Sequence, residues 1–517
     1  MKKNRMRAVI DIGSHSIRMY IGEIVRKGVV RQLDHLWIPI AIGNDTFTQG
    51  LVKNGTITEV INILRNFKDV LESYGVKSYK AIATSSIRDA SNAETFIERV
   101  LNATGIDIKI IQPIDEVLFL YKGLTGIVKD RYGFLKKNIL IFSLGAGSTQ
   151  IVFQSQGKVH FSNTRNEGTL RVIRNFDLPF QSLETLLTNI AEGFYSMIFR
   201  YQSTPKIDRF ISINDDLLAL IKKIFTTNEV KGVVRIPAED FMGFFQKTRK
   251  MSVVEMGEKY SLGENAIIST RIAVFITAHL FSMTGAKEII FPEVSMPAAV
   301  LERLSYTEAD EGLGFSHDFR EHILSAARVL AKKYAYNEKE TERVYYIATN
   351  IFDALRDVYN FSEQEKLYLE AACILHNIGY FISGKSHHKH SASLIASSEI
   401  LGLSQNEMKI IAQIARYHRR AVPRSSHSEF NKLLKTEKII VQRMAAILRV
   451  AVALAEVAAL KVEDVGVHLE NDYCQLLVKL KNKKYECLDV LRLLVKKNSV
   501  LFENFFGLPL RVDRLNN

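Results

Sequence analysis

Cysteine is scarce: the 517-residue chain has three, Cys373, Cys474 and Cys487, and no C-x-x-C pair. That excludes a disulfide framework and a thiolate zinc site, and it suits a reducing compartment such as the cytoplasm. Cys373 sits in the apolar run AACIL, where burial is expected. Long hydrophobic runs are missing too. The most apolar stretches are IAVFITAHLFSM from Ile272 and MAAILRVAVALAEVAAL from Met444. The first reads as too short to span a bilayer, and the second carries Arg449 and Glu456, so no membrane is expected. The start, MKKNRMRAVIDIG, is basic and then apolar, but Asp11 breaks the apolar part early and secretion is not expected. No low-complexity segment or long linker separates the parts.

What is present is an ordinary globular composition, 47% hydrophobic and 24% charged, spread over a length that suggests roughly three to four domains. The formal net charge is +13 and the pI about 9.3. A basic excess of this size favours polyanions: nucleic acid, nucleotides, polyphosphate or an anionic surface.

Through residue 305 or so, short β-branched runs alternate with amphipathic stretches. RAVIDIG, MYIGEIV, KAIATSS, IDIKIIQ, NILIFSLG and TQIVFQS read as strands, and ITEVINILRNFKDVLESYG as a helix ended by Gly. Such alternation argues for α/β architecture. DIGSHSIRMYIGEI and SLGAGSTQIVFQSQG echo each other, each a strand, a Gly/Ser-rich turn and a strand. The echo suggests a duplicated, bilobal domain with two turns facing one cleft. From about 310 the pattern turns helical, in EHILSAARVLAKKYAY, ETERVYYIATNIFDALRDVY, EKLYLEAACILHNIGYFI, SASLIASSEIL and NEMKIIAQIARYH. The tail is mixed again, with CQLLVKLKN as a strand and LDVLRLLVKKNSVLFENFFG as one helix ended by Gly507.

Three segments carry candidate chemistry. In Asp11-Ile-Gly-Ser14 a strand-end carboxylate can hold a hydrated cation beside phosphate-facing N–H groups, or simply close a local turn. In ATSSIRDASN, Arg88 offers a fork for phosphate, or the segment is a capped helix start with a solvated arginine. In IIQPIDEVLFLYKG, Asp115 and Glu116 open an apolar helix, where carboxylates cap well. The functional alternative is that Glu116 enters the cleft and deprotonates water.

Taken together, DIGSHSIR, ATSSIRDASN, the acidic pair before LFLYKG, and LGAGST resemble, in order and spacing, the exopolyphosphatase/guanosine pentaphosphate phosphohydrolase (Ppx/GppA) family. The helical part, with ILHNIG, SHHKHSASLI and ARYHRRAVP, resembles the HD-like domain of its long members. The resemblance implies a bilobal α/β fold of the actin-like, Hsp70-like and sugar-kinase-like (duplicated ribonuclease-H-like) class. An all-α HD-like domain and a small α/β C-terminal domain follow. The implied boundaries are 1–125 and 126–305 for the two lobes, 310–460 for the helical domain and 461–517 for the last. It implies hydrolysis of the terminal phosphoanhydride of polyphosphate or guanosine pentaphosphate with Mg²⁺, and a homodimer. Carried over by position, Asp11 is a metal-side carboxylate and Glu116 the base that activates water. Gly13, Ser14, Arg88, Gly145, Gly147, Ser148 and Thr149 are phosphate contacts.

The chain departs from that pattern at named places. Where the family has D-x-G-G-G-S-T-E, it reads Ser143-Leu-Gly-Ala-Gly-Ser-Thr-Gln150, so both flanking carboxylates are gone. Magnesium prefers carboxylate oxygen, so the expected site is weakened and turnover with it. The usual Asn is His15, and the phosphate turn near 211–216 reads ISINDD, which brings in Asp215 and Asp216. In the helical domain His376 precedes Asn377, Val452 stands at a later Asp position, and ETERVYY lacks a His. A metal-free structural domain is the expectation there, with His376 a buried helix-end histidine beside His387, His388 and His390. Lys385, Lys389, Arg416, Arg419 and Arg420 mark a candidate polyanion channel. Two functions stay open: the hydrolase, or an inactive relative that binds polyphosphate or guanosine tetra- or pentaphosphate as a sensor. Specific nucleic-acid binding lacks a recognition helix or a stacking strip.

Overall fold

The computed structural model describes residues 5–26, 28–128, 134, 136–173, 180–199, 206–225, 230, 232–305, 316–455, 462–470, 472–480 and 486–515. The chain forms two compact units, Met1–Gly312 and Leu313–Asn517.

The first unit is built on two sheets. One contains β1 (Met6–Ile12), β2 (Ser16–Arg26), β3 (Val29–Pro39), β4 (Ser78–Ala83) and β5 (Ile108–Ile110), in the order β3-β2-β1-β4-β5. The other contains β6 (Ile139–Leu144), β7 (Thr149–Ser155), β8 (Lys158–Arg165), β9 (Arg209–Ile213), β10 (Val233–Pro237) and β11 (Glu288–Pro292), in the order β10-β11-β9-β6-β7-β8. Read from β8, the second order repeats the first, with β10 added at the far edge. In both sheets the opening strand runs antiparallel to the next and parallel to the fourth. The echo in the sequence is thus a structural duplication. Its register is informative: Asp11 faces Arg18 across the first hairpin, and Ser143 faces Gln150 across the second.

Helices cover the sheets because their apolar residues recur at helical spacing. In Asn54–Ser73 the buried positions are Ile57, Val60, Ile61, Ile63, Leu64, Phe67 and Leu71, and the chain then turns at Gly75, whose φ of +64° suits glycine. The helix Glu264–Thr284 corrects one expectation. Its part Ala266–Thr284 is long and apolar enough to cross a membrane, yet 67% of that window is buried among the aromatic core of the second lobe. The helix Pro113–Val128 runs across positions 125 and 126 without a break.

The second unit opens on a helical stretch that includes Ser316–Lys333, Glu338–Tyr359, Glu363–Leu375, His387–Ala396, Gln405–Arg416 and Lys435–Ala455. Two begin at reciprocal capping boxes, Ser362 with Glu365 and Ser404 with Glu407, which satisfy otherwise orphaned N–H groups. β12 (Val462–Leu469), β13 (Cys474–Leu480) and β14 (Leu510–Arg514) form a small sheet. The single tail helix expected before Gly507 is two, Glu486–Asn498 and Val500–Phe506. At the break the Asn498 amide and the Ser499 hydroxyl turn back onto the Leu494 and Lys496 carbonyls. The expected boundaries near 306–310 and 461, and Glu456, lie outside the described residues.

Candidate active site

The two hairpin turns close in the same way. Gly13 N–H donates to Ser16 O at 3.0 Å and Gly145 N–H to Ser148 O at 2.9 Å. Their tips line a cavity of about 390 Å³ together with Asp11, His15, Glu116, Gln150 and Asp216. The turns approach closely where Gly147 meets the first lobe. A Cβ on Gly147 would run into the Ser85 hydroxyl and stand 2.6 Å from the Phe47 ring, so only glycine fits.

Asp11 ends β1 and is buried, with its Oδ1 unpartnered among the described residues. Burial pushes its carboxyl up to about 7, helped by the charges of Glu116 and Asp215 and opposed by Arg18. Arg18, its partner across the hairpin, reaches into the second lobe and pairs with Asp215 at 2.6 Å.

Glu116 lies in the first turn of Pro113–Val128 and is 6% exposed. Its Oε1 accepts from Arg88 Nη1 at 2.6 Å and its Oε2 from Gln150 Nε2 at 3.3 Å. Burial raises its proton affinity and Arg88 opposes the rise. Arg88 stands outside the cavity lining: Nη1 also donates to Ile111 O, and Nη2 is buried without a partner among the described residues. Ser148 Oγ accepts from Gln150 at 3.0 Å, while the Thr149 hydroxyl donates away from the cavity lining, to Glu167 O at 2.6 Å.

Arg171 is a residue the sequence reading missed. Its Nε donates to Gly147 O at 2.6 Å, its guanidinium pairs with Asp89 of the first lobe, and it covers the Phe47 ring at 4.2 Å. It fastens the second turn onto the residue next to Arg88. Asp89 was within reach of the sequence, in SSIRDA, but no local pattern marks Arg171.

The acidic pair in ISINDD opens the helix Asp215–Ile224, capped by Asn214. Two carboxylates here would repel a phosphate chain, but neither is bare. Asp215 is taken by Arg18, and Asp216 accepts from Ser269 Oγ at 3.1 Å and lies within the field of His15.

The surviving donors do not add up to a magnesium site. Ser143 and Gln150 offer neutral groups, and the Gln150 amide is turned as a donor toward Glu116. Asp215 is committed to Arg18. Asp11 Oδ1 is an orphaned carboxylate oxygen that suits a hard cation, but no three His, Cys, Asp or Glu side chains among the described residues converge to hold one.

In the helical unit His376, His387, His388 and His418 pack ring to ring. Nδ1 of His376, His387 and His418 each meets a backbone carbonyl three residues earlier. Burial pushes His376 and His388 down to about 4 and His418 well below its usual value. These imidazoles are therefore neutral core groups at physiological pH. Around them, Lys385, Lys389 and Arg420 are exposed, with Arg416 and Arg419 half-buried. Arg420 adopts a left-handed φ of +60°, and its carbonyl is held by the buried Arg449. The basic turn is therefore fixed rather than frayed.

The model for the Ppx/GppA phosphatase family matches residues 38–252, and that for Ppx/GppA phosphatase, domain III, matches 324–494. A guanosine-5'-triphosphate,3'-diphosphate pyrophosphatase of Pseudoalteromonas translucida is 22% identical over 466 residues, 86% of each chain. A bifunctional 3-dehydroquinate synthase/phosphatase of Fusobacterium nucleatum is 27% identical over 187 residues, 34% of this chain and 27% of that protein. The match thus spans about a quarter of that relative's length. The crystal structure of an exopolyphosphatase from Cytophaga hutchinsonii superposes with a TM-score of 0.53 at 16% identity, over 58% of this chain and 97% of its own.

Proposed function

The chain belongs to the Ppx/GppA phosphatase family, and on that premise we propose that it hydrolyses the terminal phosphoanhydride of guanosine pentaphosphate or polyphosphate. The observation that carries the reading is Glu116: a buried carboxylate at the edge of a cavity formed by two phosphate-sized turns, with its proton affinity raised by burial. A base whose affinity is shifted toward neutrality accepts a proton from water more readily at physiological pH. The turn around Ser14 and that from Gly145 to Ser148 hold the terminal phosphate, and Glu116 takes the proton of the attacking water. Arg88 orients Glu116 through their 2.6 Å contact.

Loss of carboxylates at 143 and 150 slows this reaction, because the developing phosphoryl charge is left to the turn amides and nearby arginines. A second reading, an inactive sensor of the same ligands, is favoured by the Gln150 amide bound to Glu116. Phosphate release from guanosine pentaphosphate and from long polyphosphate, with and without Mg²⁺, separates the two. Turnover abolished by Glu116→Gln supports the hydrolase. Tight binding of either ligand with no phosphate release supports the sensor.

A further inference from the structure

Hydrolysis of an anhydride takes a proton from water and puts negative charge on the departing oxygen, which a cation, a hydrogen-bond donor or a proton can neutralise. Glu116 can accept the proton of water, but the departing oxygen also gains charge as its bond to phosphorus breaks. A chain that has lost two cation-binding carboxylates needs another way to neutralise that oxygen.

Two departures from the family pattern meet at this place. His15 stands at the tip of the first turn, and Asp216 opens a helix of the second lobe. Both line the cavity that holds Glu116. His15 Nε2 is buried and without a partner among the described residues. Asp216 is held still by Ser269, whose hydroxyl also meets Thr169 at 2.9 Å.

The charged groups around His15 are Asp216 from its helix, Arg18 from β2, and the cavity carboxylates Asp11 and Asp215. Burial lowers the proton affinity of His15 most, Asp216 raises it, and Arg18 lowers it. Arg18 is itself paired with Asp215. In the free protein the imidazole is therefore neutral near pH 7. A bound phosphate chain adds several negative charges to the cavity and favours the protonated ring.

We propose that His15, which shares the cavity with Asp216, contacts the bound phosphate chain through Nε2–H and protonates the bridging oxygen as the terminal phosphoanhydride breaks. The inference rests on the hydrolase reading above. Water oxygen bonds to the terminal phosphorus, and the P–O bond to the next phosphate breaks with its electron pair on the leaving oxygen. Glu116 receives the proton of water, His15 gives its own, and exchange with solvent restores both. The Asn usual in the family can donate a hydrogen bond at this position but cannot release a proton. His15→Asn therefore separates the two roles.

The experiment combines histidine-selective ¹⁵N NMR of the full chain, with and without tripolyphosphate at neutral pH, with pH profiles of kcat. The signal missing from His15→Asn identifies His15, and it moves from neutral to doubly protonated when tripolyphosphate binds. His15→Asn lowers kcat about 10²-fold, removes the fall in kcat at alkaline pH, and removes the pH dependence that His15 protonation gives to tripolyphosphate affinity. Asp216→Asn moves the alkaline limb to lower pH. A His15 ring that stays neutral at saturating tripolyphosphate overturns the proposal, as does a His15→Asn enzyme with wild-type kcat and pH profile. If the wild type releases no phosphate from either substrate, the hydrolase reading and the proton transfer fall together. The NMR titration then tells whether His15 still contacts the chain.

Discussion

Gln150 Nε2 donates to Glu116 Oε2 at 3.3 Å, so the residue facing Ser143 across the second hairpin touches the buried carboxylate of the helix Pro113–Val128. A glutamate at 150 would set two buried carboxylates side by side, which is tolerable only with a proton or a cation between them. The amide removes that requirement by donating where a carboxylate would repel. Ser143 and Gln150 face each other in register, so the loss of both carboxylates is one change to one place.

Gln150→Glu alone therefore destabilises the protein. Placing an unpaired charge against Glu116, where both side chains are buried, costs about 2–4 kcal/mol. Thermal melts in chelator show the drop. In the double variant with Ser143→Asp the melting temperature recovers on adding Mg²⁺, and phosphate release becomes magnesium-dependent. A double variant whose melting temperature ignores Mg²⁺ shows that Asp11 and Glu116 do not complete a cation site.

Glu116 and Arg88 make a prediction about acid pH. Glu116 works as a base only when ionised, and burial holds its proton affinity above the ordinary carboxylate value while Arg88 pulls it back. kcat falls as pH drops through that raised value. Arg88→Gln removes the opposing cation and shifts the acid limb of the kcat profile to higher pH. An unmoved limb means that a different group is the base.

Much of the architecture is legible in the sequence, for local reasons. The hairpins at Asp11–Arg18 and Ser143–Gln150 show themselves as apolar strands around a Gly/Ser turn, and the helical unit by its spacing. The helix Glu264–Thr284 is not fully legible, because its polar opening ENAIISTR hides a continuous apolar core behind it. The ties that close the cleft are not legible at all. Arg18 meets Asp215, and Arg171 meets Asp89, only because the fold carries distant segments together. Neither His15 nor Asp216 is marked as a partner of the other by any local pattern, and only the fold shows that they share a cavity.

Asp11 makes stability depend on pH. Its folded value of about 7 lies above the ordinary 3.8. Below about pH 4 both folded and unfolded chains hold the proton, and the group costs nothing. As pH rises toward 7 the unfolded chain ionises first, and stability falls by at most roughly 4 kcal/mol. Asp11→Asn removes this penalty. Denaturant midpoints for the variant and wild type should coincide near pH 4 and diverge in favour of the variant near pH 8.

The basic turn of the helical unit can be tested apart from the catalytic cavity. Lys385, Lys389, Arg419 and Arg420 gather around one histidine cluster: Arg419 and Arg420 bear on His387 and His388, and Lys389 on His388. Replacing all four by Ala lowers affinity for long polyphosphate about tenfold or more at low salt and flattens its salt dependence. Tripolyphosphate affinity stays unchanged, because that ligand is short enough to occupy the first unit's cavity alone. Equal losses for the two ligands would place the cluster's effect on folding rather than on binding.

Gly147 is a tight point of the cleft and gives a test of closure. Ala at 147 has its methyl against the Ser85 side chain and the buried Phe47 ring, so one of them must shift. Arg171 grips the Gly147 carbonyl and Asp89 at the same place, so a wedge there also strains the latch. Gly147→Ala should open the cleft, lower kcat/KM by about 10² through misplacement of the reacting groups, and quicken proteolysis of the first unit. Arg171→Ala removes the latch without the wedge, so it should speed proteolysis in the same way with a smaller loss of kcat/KM. If Gly147→Ala leaves both measurements at wild-type values, the close approach of the two turns is not needed for turnover.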